Sequence, residues 1–324
     1  MAAPGLYSKD NVFLLNNLKG FAILFICLIH SAARETVYSF FILGMPLFAF
    51  ASGFACKPSG NSVSFGYLKS VLTLYILANA LYMPFEAYLM YLEGTLNIPA
   101  LLLGPTGGIT WYFPALIIWY FLTYLAGLFK RPVIAGIIFS LLAYALVRTM
   151  SGTVEGFYWQ RLSNLMEMVT RFFPCYLIGA YLPWEKIVSM RKWKFKYWLV
   201  AGLLPFFALY HFQVLKYYPQ THVFIQETAY FAGSLLGVFA MLAAFPGMKI
   251  RFLSDIGKAS LNIYLFHFYI NLVANKVFVK TIGYSPAWLI YAVVAVYVYV
   301  LSRDFASRAV MDLTNAVKSR IFAK

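Results

Sequence analysis

The segment NNLKGFAILFICLIHS, residues 16–31, sets an uncharged run, 20–29, between Lys19 and His30. No soluble helix needs so complete an exclusion of polar groups, and the rest of the chain repeats the pattern. The 324 residues are 62% hydrophobic and 11% charged, against roughly 25% charged in soluble domains. A bilayer is therefore the solvent in which this chain folds. The apolar runs are continuous, whereas a membrane barrel would show short alternating segments, so the expected class is all-α and polytopic. The run is entered through Lys19 and left through His30 and Arg34 with no small-residue cleavage site, which reads as a retained helix and not a leader.

Taking about 20 apolar residues as the spanning unit, helices are expected near 18–34, 37–54, 68–91, 109–129, 132–150, 168–183, 197–213, 224–245, 258–279 and 285–302. Ten spans put both termini on one side. Eighteen of the 26 Lys and Arg then fall on that side and seven on the other, with Lys19 inside the first helix. The positive-inside rule makes the termini cytoplasmic. No repeat, low-complexity tract or long linker divides residues 1–324, so one membrane domain is expected.

The formal charge of +15 would suggest nucleic acid in a soluble protein, but here it mainly sets orientation. No basic patch interleaved with aromatics stands clear of the apolar runs, and no nucleic-acid partner is expected. Cys27, Cys56 and Cys175 are odd in number, widely spaced and set in apolar sequence, suggesting neither a disulfide framework nor a metal site. A Walker loop, a dinucleotide fingerprint and H-E-x-x-H are all absent, which argues against nucleotide hydrolysis, dehydrogenation and zinc proteolysis.

Ionisable residues within spans are costly and are functional candidates by default. Lys19 and His30 are eleven residues apart, almost three whole turns, so they share a face about 16 Å apart along the axis. A cation near one mouth and an imidazole deeper in suit a long donor such as an acyl thioester, the imidazole accepting a hydroxyl proton as general base. Against this stands a snorkelling lysine and an interfacial histidine at a helix end. Cys27, three before His30, would permit an acyl-cysteine relay but is better read as a small buried residue. Glu167 and Arg171, four apart, form either a structural ion pair or part of an acceptor site. Glu86, after Met83-Pro84-Phe85, either orients an imidazole or reaches the interface. His267, three after Tyr264, is either a hydrogen-bonded core residue or a substrate contact. A donor near Trp111 is a candidate oxyanion stabiliser.

With these residues in place, the chain resembles acyltransferase family three, multi-helix membrane enzymes that O-acylate surface polysaccharides and other extracytoplasmic acceptors. Lys19 to His30 resembles the family's basic residue, ten-residue gap and histidine, and Lys19-Gly20 is similar to the fucose 4-O-acetylase-like branch. MPLFAFASGF (45–54), GITWYFPAL (108–116), RFFPCYLIGAYL (171–182) and IGKASLNIYLFH (256–267) resemble later motifs in the family's order. The resemblance implies O-acetyl transfer from cytoplasmic acetyl-CoA to a hydroxyl of a cell-surface or exopolysaccharide sugar. It makes His30 the essential base, Lys19 its cationic partner and His267 a pocket residue. It further implies acyl-CoA as donor substrate with no bound cofactor, a bacterial inner-membrane location and partners in exopolysaccharide biosynthesis. Two departures stand out. Asn16 replaces a frequent acidic residue, and Lys69, Ser70 and Thr73 stand where the family often has a donor-associated Arg-x-x-Arg, leaving Lys69 as a partial substitute. The rival function is a transporter or flippase for lipid-linked sugars, which needs a polar cavity and many helices but no base.

Overall fold

The computed structural model describes residues 9–31, 41–56, 65–92, 94, 109–151, 157–211 and 223–322. Among them there is no strand, as expected of an all-α chain. The helices are α1 (Lys9–Ile29), α2 (Phe41–Ala55), α3 (Phe65–Leu92), α4 (Tyr112–Ala126, entered through the 3-10 turn Ile109–Trp111), α5 (Pro132–Ser151), α6 (Phe157–Tyr181), α7 (Trp184–Arg191), α8 (Lys196–Ala201), α9 (Leu204–His211), α10 (Val223–Ala244), α11 (Arg251–Lys258), α12 (Ser260–Ile282), α13 (Ala287–Leu301) and α14 (Asp304–Phe322).

Each of the ten expected stretches falls on helix, with shifted ends. The first starts earlier, at Lys9, and ends at Ile29, so His30 stands in the turn beyond it. The sixth starts at Phe157, which places Glu167 and Arg171 in mid-helix. The seventh breaks at 202–203 into α8 and α9. Residues 32–34, 37–40 and 212–213 of the expected spans lie outside the described residues. Beyond the ten, α7, α11 and α14 are additional helices.

Among the described residues three helices are long and apolar enough to cross a bilayer alone: Val12–Ile29, Gly66–Tyr88 and Pro132–Met150. A fourth arises if α13 and α14, bent by 64° at their break, count as one span. Helices α2 and α4 have only 15 residues each, about 22 Å at 1.5 Å per residue, short of a hydrocarbon core of about 30 Å. Of the Pro132–Met150 window only 11% is buried, at a mean hydropathy of 2.0. Such an exposed apolar face is what lipid covers.

The chain forms two compact units, Met1–Ala55 with Leu182–Arg308, and Cys56–Tyr181 with Ala309–Lys324. In the first, α1 packs most extensively on α11 and α2. The approach to α11 is backbone on backbone: a Cβ at Gly20 would lie 2.1 Å from the Leu253 carbonyl oxygen, and one at Gly257 would lie 1.8 Å from that of Asn16. Helix α2 is buried without a break from Ile42 to Ala51. Asn17 donates to the carbonyls of Met248 (2.9 Å) and Pro246 (3.3 Å), tying α1 to the turn before α11.

The second unit centres on the pairing of α5 with α6. Pro174 inside α6 has no N–H for the carbonyl four residues back, Thr170. The Ser140 hydroxyl of α5 donates to that carbonyl instead. Trp119 of α4, wholly buried, donates its indole N–H to Val169 O at 2.8 Å. The freed carbonyl thus becomes a point of helix–helix attachment.

Candidate active site

The end of α1 builds the site. Ser31 turns its N–H to Leu28 O (3.1 Å) and its hydroxyl to the same oxygen (2.5 Å). That tightening withdraws the amide that would otherwise reach Cys27 O. Asn271 of α12 donates to the orphaned Cys27 carbonyl at 2.9 Å, as a helix end needs when its last carbonyls lose partners. No glycine or proline occupies 27–31, so the stop is made by side chains.

One turn before Asn271, fully buried His267 sets its Nδ1 2.8 Å from Tyr264 O. A carbonyl only accepts, so this nitrogen carries the proton and Nε2 keeps a lone pair. His30 sets its Nδ1 2.8 Å from Ile26 O and 3.3 Å from His267 Nε2. By the same logic His30 Nδ1–H donates to both, and its own Nε2 is the basic nitrogen. These tautomers are assigned from the partners of each ring. The two rings meet edge to face with centroids 5.1 Å apart at 62°. Phe48 stacks on Tyr264 at 6.0 Å and holds the α12 turn from the α2 side. His30 itself is exposed.

Lys19 lies in the middle of α1, half-buried, and makes no hydrogen bond or ion pair among the described residues. Continuous helix runs from it to the turn that carries His30, a rise of roughly 16 Å at about 1.5 Å per residue. Cys27 is buried beside Asn271 and carries a free thiol.

The remaining expected residues belong to the second unit. Glu167, buried, accepts from Arg171 at 2.8 Å and from Arg148 of α5 at 3.2 Å, and Arg171 also donates to the Tyr144 hydroxyl at 2.8 Å. The pair read from i, i+4 spacing is therefore joined by Arg148, and Glu167 accepts from two guanidinium groups. Trp111 stacks on Phe172 at 5.8 Å and meets Trp119 and Tyr112 edge on. Lys69 is exposed, with its ammonium 5.2 Å over the Phe322 ring. Glu86 is half-buried two residues past Pro84 in α3. Among the described residues no cluster of three His, Cys, Asp or Glu could hold a metal.

Residues that sequence reasoning passed over are Asn271, Arg148 and Tyr144. Asn271 had a signal, an amide one turn after His267 in an apolar helix, where polar side chains need partners. Arg148 had none, since at a helix end it reads as a loop charge.

Among curated proteins and among solved structures no match to the chain is found. The family model for an acyltransferase domain matches residues 13–303, a stretch that contains α2 to α13 entire and every candidate residue described above. Carrying that domain over nearly its whole length, the chain belongs to acyltransferase family 3, a family of membrane acyltransferases.

Proposed function

We propose that the protein is an O-acyltransferase in which His30 Nε2 is the general base, acetyl-CoA the donor and a hydroxyl of a cell-surface or exopolysaccharide sugar the acceptor. The proposal includes ten spans with both termini cytoplasmic, in a bacterial inner membrane. What supports it is one arrangement: an exposed imidazole whose Nδ1–H is engaged by Ile26 O and His267 Nε2, leaving Nε2 to react. Geometry of this kind holds a base in one tautomer and one orientation before substrate arrives.

The acceptor oxygen attacks the thioester carbonyl while its proton passes to His30 Nε2. The C–O bond forms, the C–S bond breaks, and the departing thiolate takes the proton from the imidazolium. While His30 is charged, the His267 Nε2 lone pair faces the Nδ1–H and favours that charge. His267 is thus a positioning residue. Lys19, about three turns away, holds the phosphates of the donor as a point charge, and Lys69 is a candidate donor contact of the second unit. The Trp111 region, Glu86 and the Glu167–Arg171 pair are candidate substrate contacts of the second unit.

The test is transfer of labelled acetyl by purified protein to candidate glycans, wild type against His30→Ala. Loss of transfer with normal membrane insertion supports the base. Unchanged transfer removes it, and normal acylation with failed glycan export turns the reading toward transport.

A further inference from the structure

A second charged feature of the first unit lies apart from His30. Arg191, Lys192, Lys196 and Tyr197, from the end of α7 through the start of α8, line a cavity of about 410 Å³ whose opposite wall is 243–246, the end of α10. Among the described residues three cations face it and no carboxylate lines it.

The cavity is held open by local structure. Arg191, half-buried, lies flat against Gly247, where a Cβ would come 2.2 Å from its guanidinium nitrogen. Lys196 donates to Arg191 O at 3.1 Å, which folds the 191–196 turn so that both cations point to one space. Tethering through Asn17 to Pro246 O and Met248 O, and Phe21 against Phe245 at 5.6 Å, fixes the far wall.

Two observations select the ligand. Trp193, Phe195, Tyr197 and Trp198 are all exposed, at 48%, 72%, 66% and 73%, interleaved with lysines in RKWKFKYW, residues 191–198, a basic and aromatic patch that the reading of the apolar runs passed over. Exposed Trp and Tyr among cations mark the headgroup level of a bilayer, and basic pockets at that level hold anionic lipid headgroups. Moreover, Asn17 and Phe21 face this cavity's wall, and Lys19, two residues from each, lies about 200° round the helix. The cavity is therefore on the far side of α1 from the proposed donor path. We infer that the Arg191–Lys192–Lys196 cavity binds the phosphate headgroup of an anionic phospholipid, with the four aromatics seated in the surrounding interface.

The experiment measures phosphatidylglycerol and phosphatidylcholine binding to the whole protein in neutral detergent by native mass spectrometry. Wild type is expected to prefer phosphatidylglycerol by at least tenfold. The Arg191→Gln, Lys192→Gln, Lys196→Gln triple variant loses that preference, while Lys249→Gln, Arg251→Gln, Lys258→Gln, equal in charge removed, keeps it. Lys192→Gln alone, an exposed position, weakens binding about threefold if the triple variant folds poorly. A preference retained by the triple variant overturns the inference. So does equal loss in the control, which would leave only diffuse charge, and so does displacement of the lipid by soluble coenzyme A, which would assign the cavity to a nucleotide phosphate. Binding is read without acyl transfer, so His30→Ala, which tests the chemistry, leaves this result intact.

Discussion

An imidazole acts as a base only through a nitrogen whose lone pair is still available, and two backbone carbonyls decide which nitrogen that is. Ile26 O takes one proton position of His30, and Tyr264 O takes one of His267. His30→Ala is expected to lower kcat by about 10²- to 10⁴-fold, the usual range for a general base, with membrane insertion unchanged by protease protection. His267→Phe keeps the ring's bulk but removes the acceptor behind Nδ1–H, so kcat falls about tenfold with KM unchanged, measured in the same labelled-transfer assay. A fall in KM-type binding alone would place His267 against substrate and not behind the base. The Lys19–His30 relation was legible beforehand because both residues sit on one continuous stretch, where 3.6 residues per turn fixes their bearing. The His30–His267 pair was not, since 237 positions of chain separate the rings and no local period reports on their meeting. Arg148 was illegible for a similar reason. Its partner Glu167 comes from the next helix, and its position at a helix end gave it an ordinary explanation.

At the scale of elements, the helices show how backbone groups freed by a break or a proline are used for attachment. Asn271→Leu leaves Cys27 O without a donor inside an apolar contact, a loss of about 1–3 kcal/mol. It is expected as a lowered unfolding midpoint together with reduced transfer, because the turn bearing His30 loses its tie to α12. Ser140→Ala does the same to Thr170 O, and here a second change supplies the control. Pro174→Ala restores an N–H for that carbonyl, so the double variant should recover part of the stability lost in Ser140→Ala, read as a coupling in a double-mutant cycle. Additive losses would mean the hydroxyl and the proline act separately. Element positions were readable from hydropathy because lipid-facing and buried helix surfaces are both apolar. Element ends were not. Helix α1 stops at Ile29 through Ser31 and a distant asparagine, and α6 runs back to Phe157 through a polar stretch whose Glu167 is paired by Arg148 of α5.

For the whole molecule, charge asymmetry carries the orientation. A reporter fluorescent only in the cytoplasm, fused after Lys324, should be bright, and an exported phosphatase fused there should be inactive; the opposite pair of results reverses the topology. Composition made membrane residence legible at once, yet the number of crossings is harder to read, since 15-residue helices such as α2 and α4 fall below the length of a lone span. The glycine contacts add one further consequence for motion. Gly20 and Gly257 leave no gap between the main chains of α1 and α11, so rolling α1 about its own axis would drive peptide into peptide. The helix that carries the proposed cation and leads into the turn bearing the base is locked to α11, so an opening that admits substrate is expected from partners other than this pair.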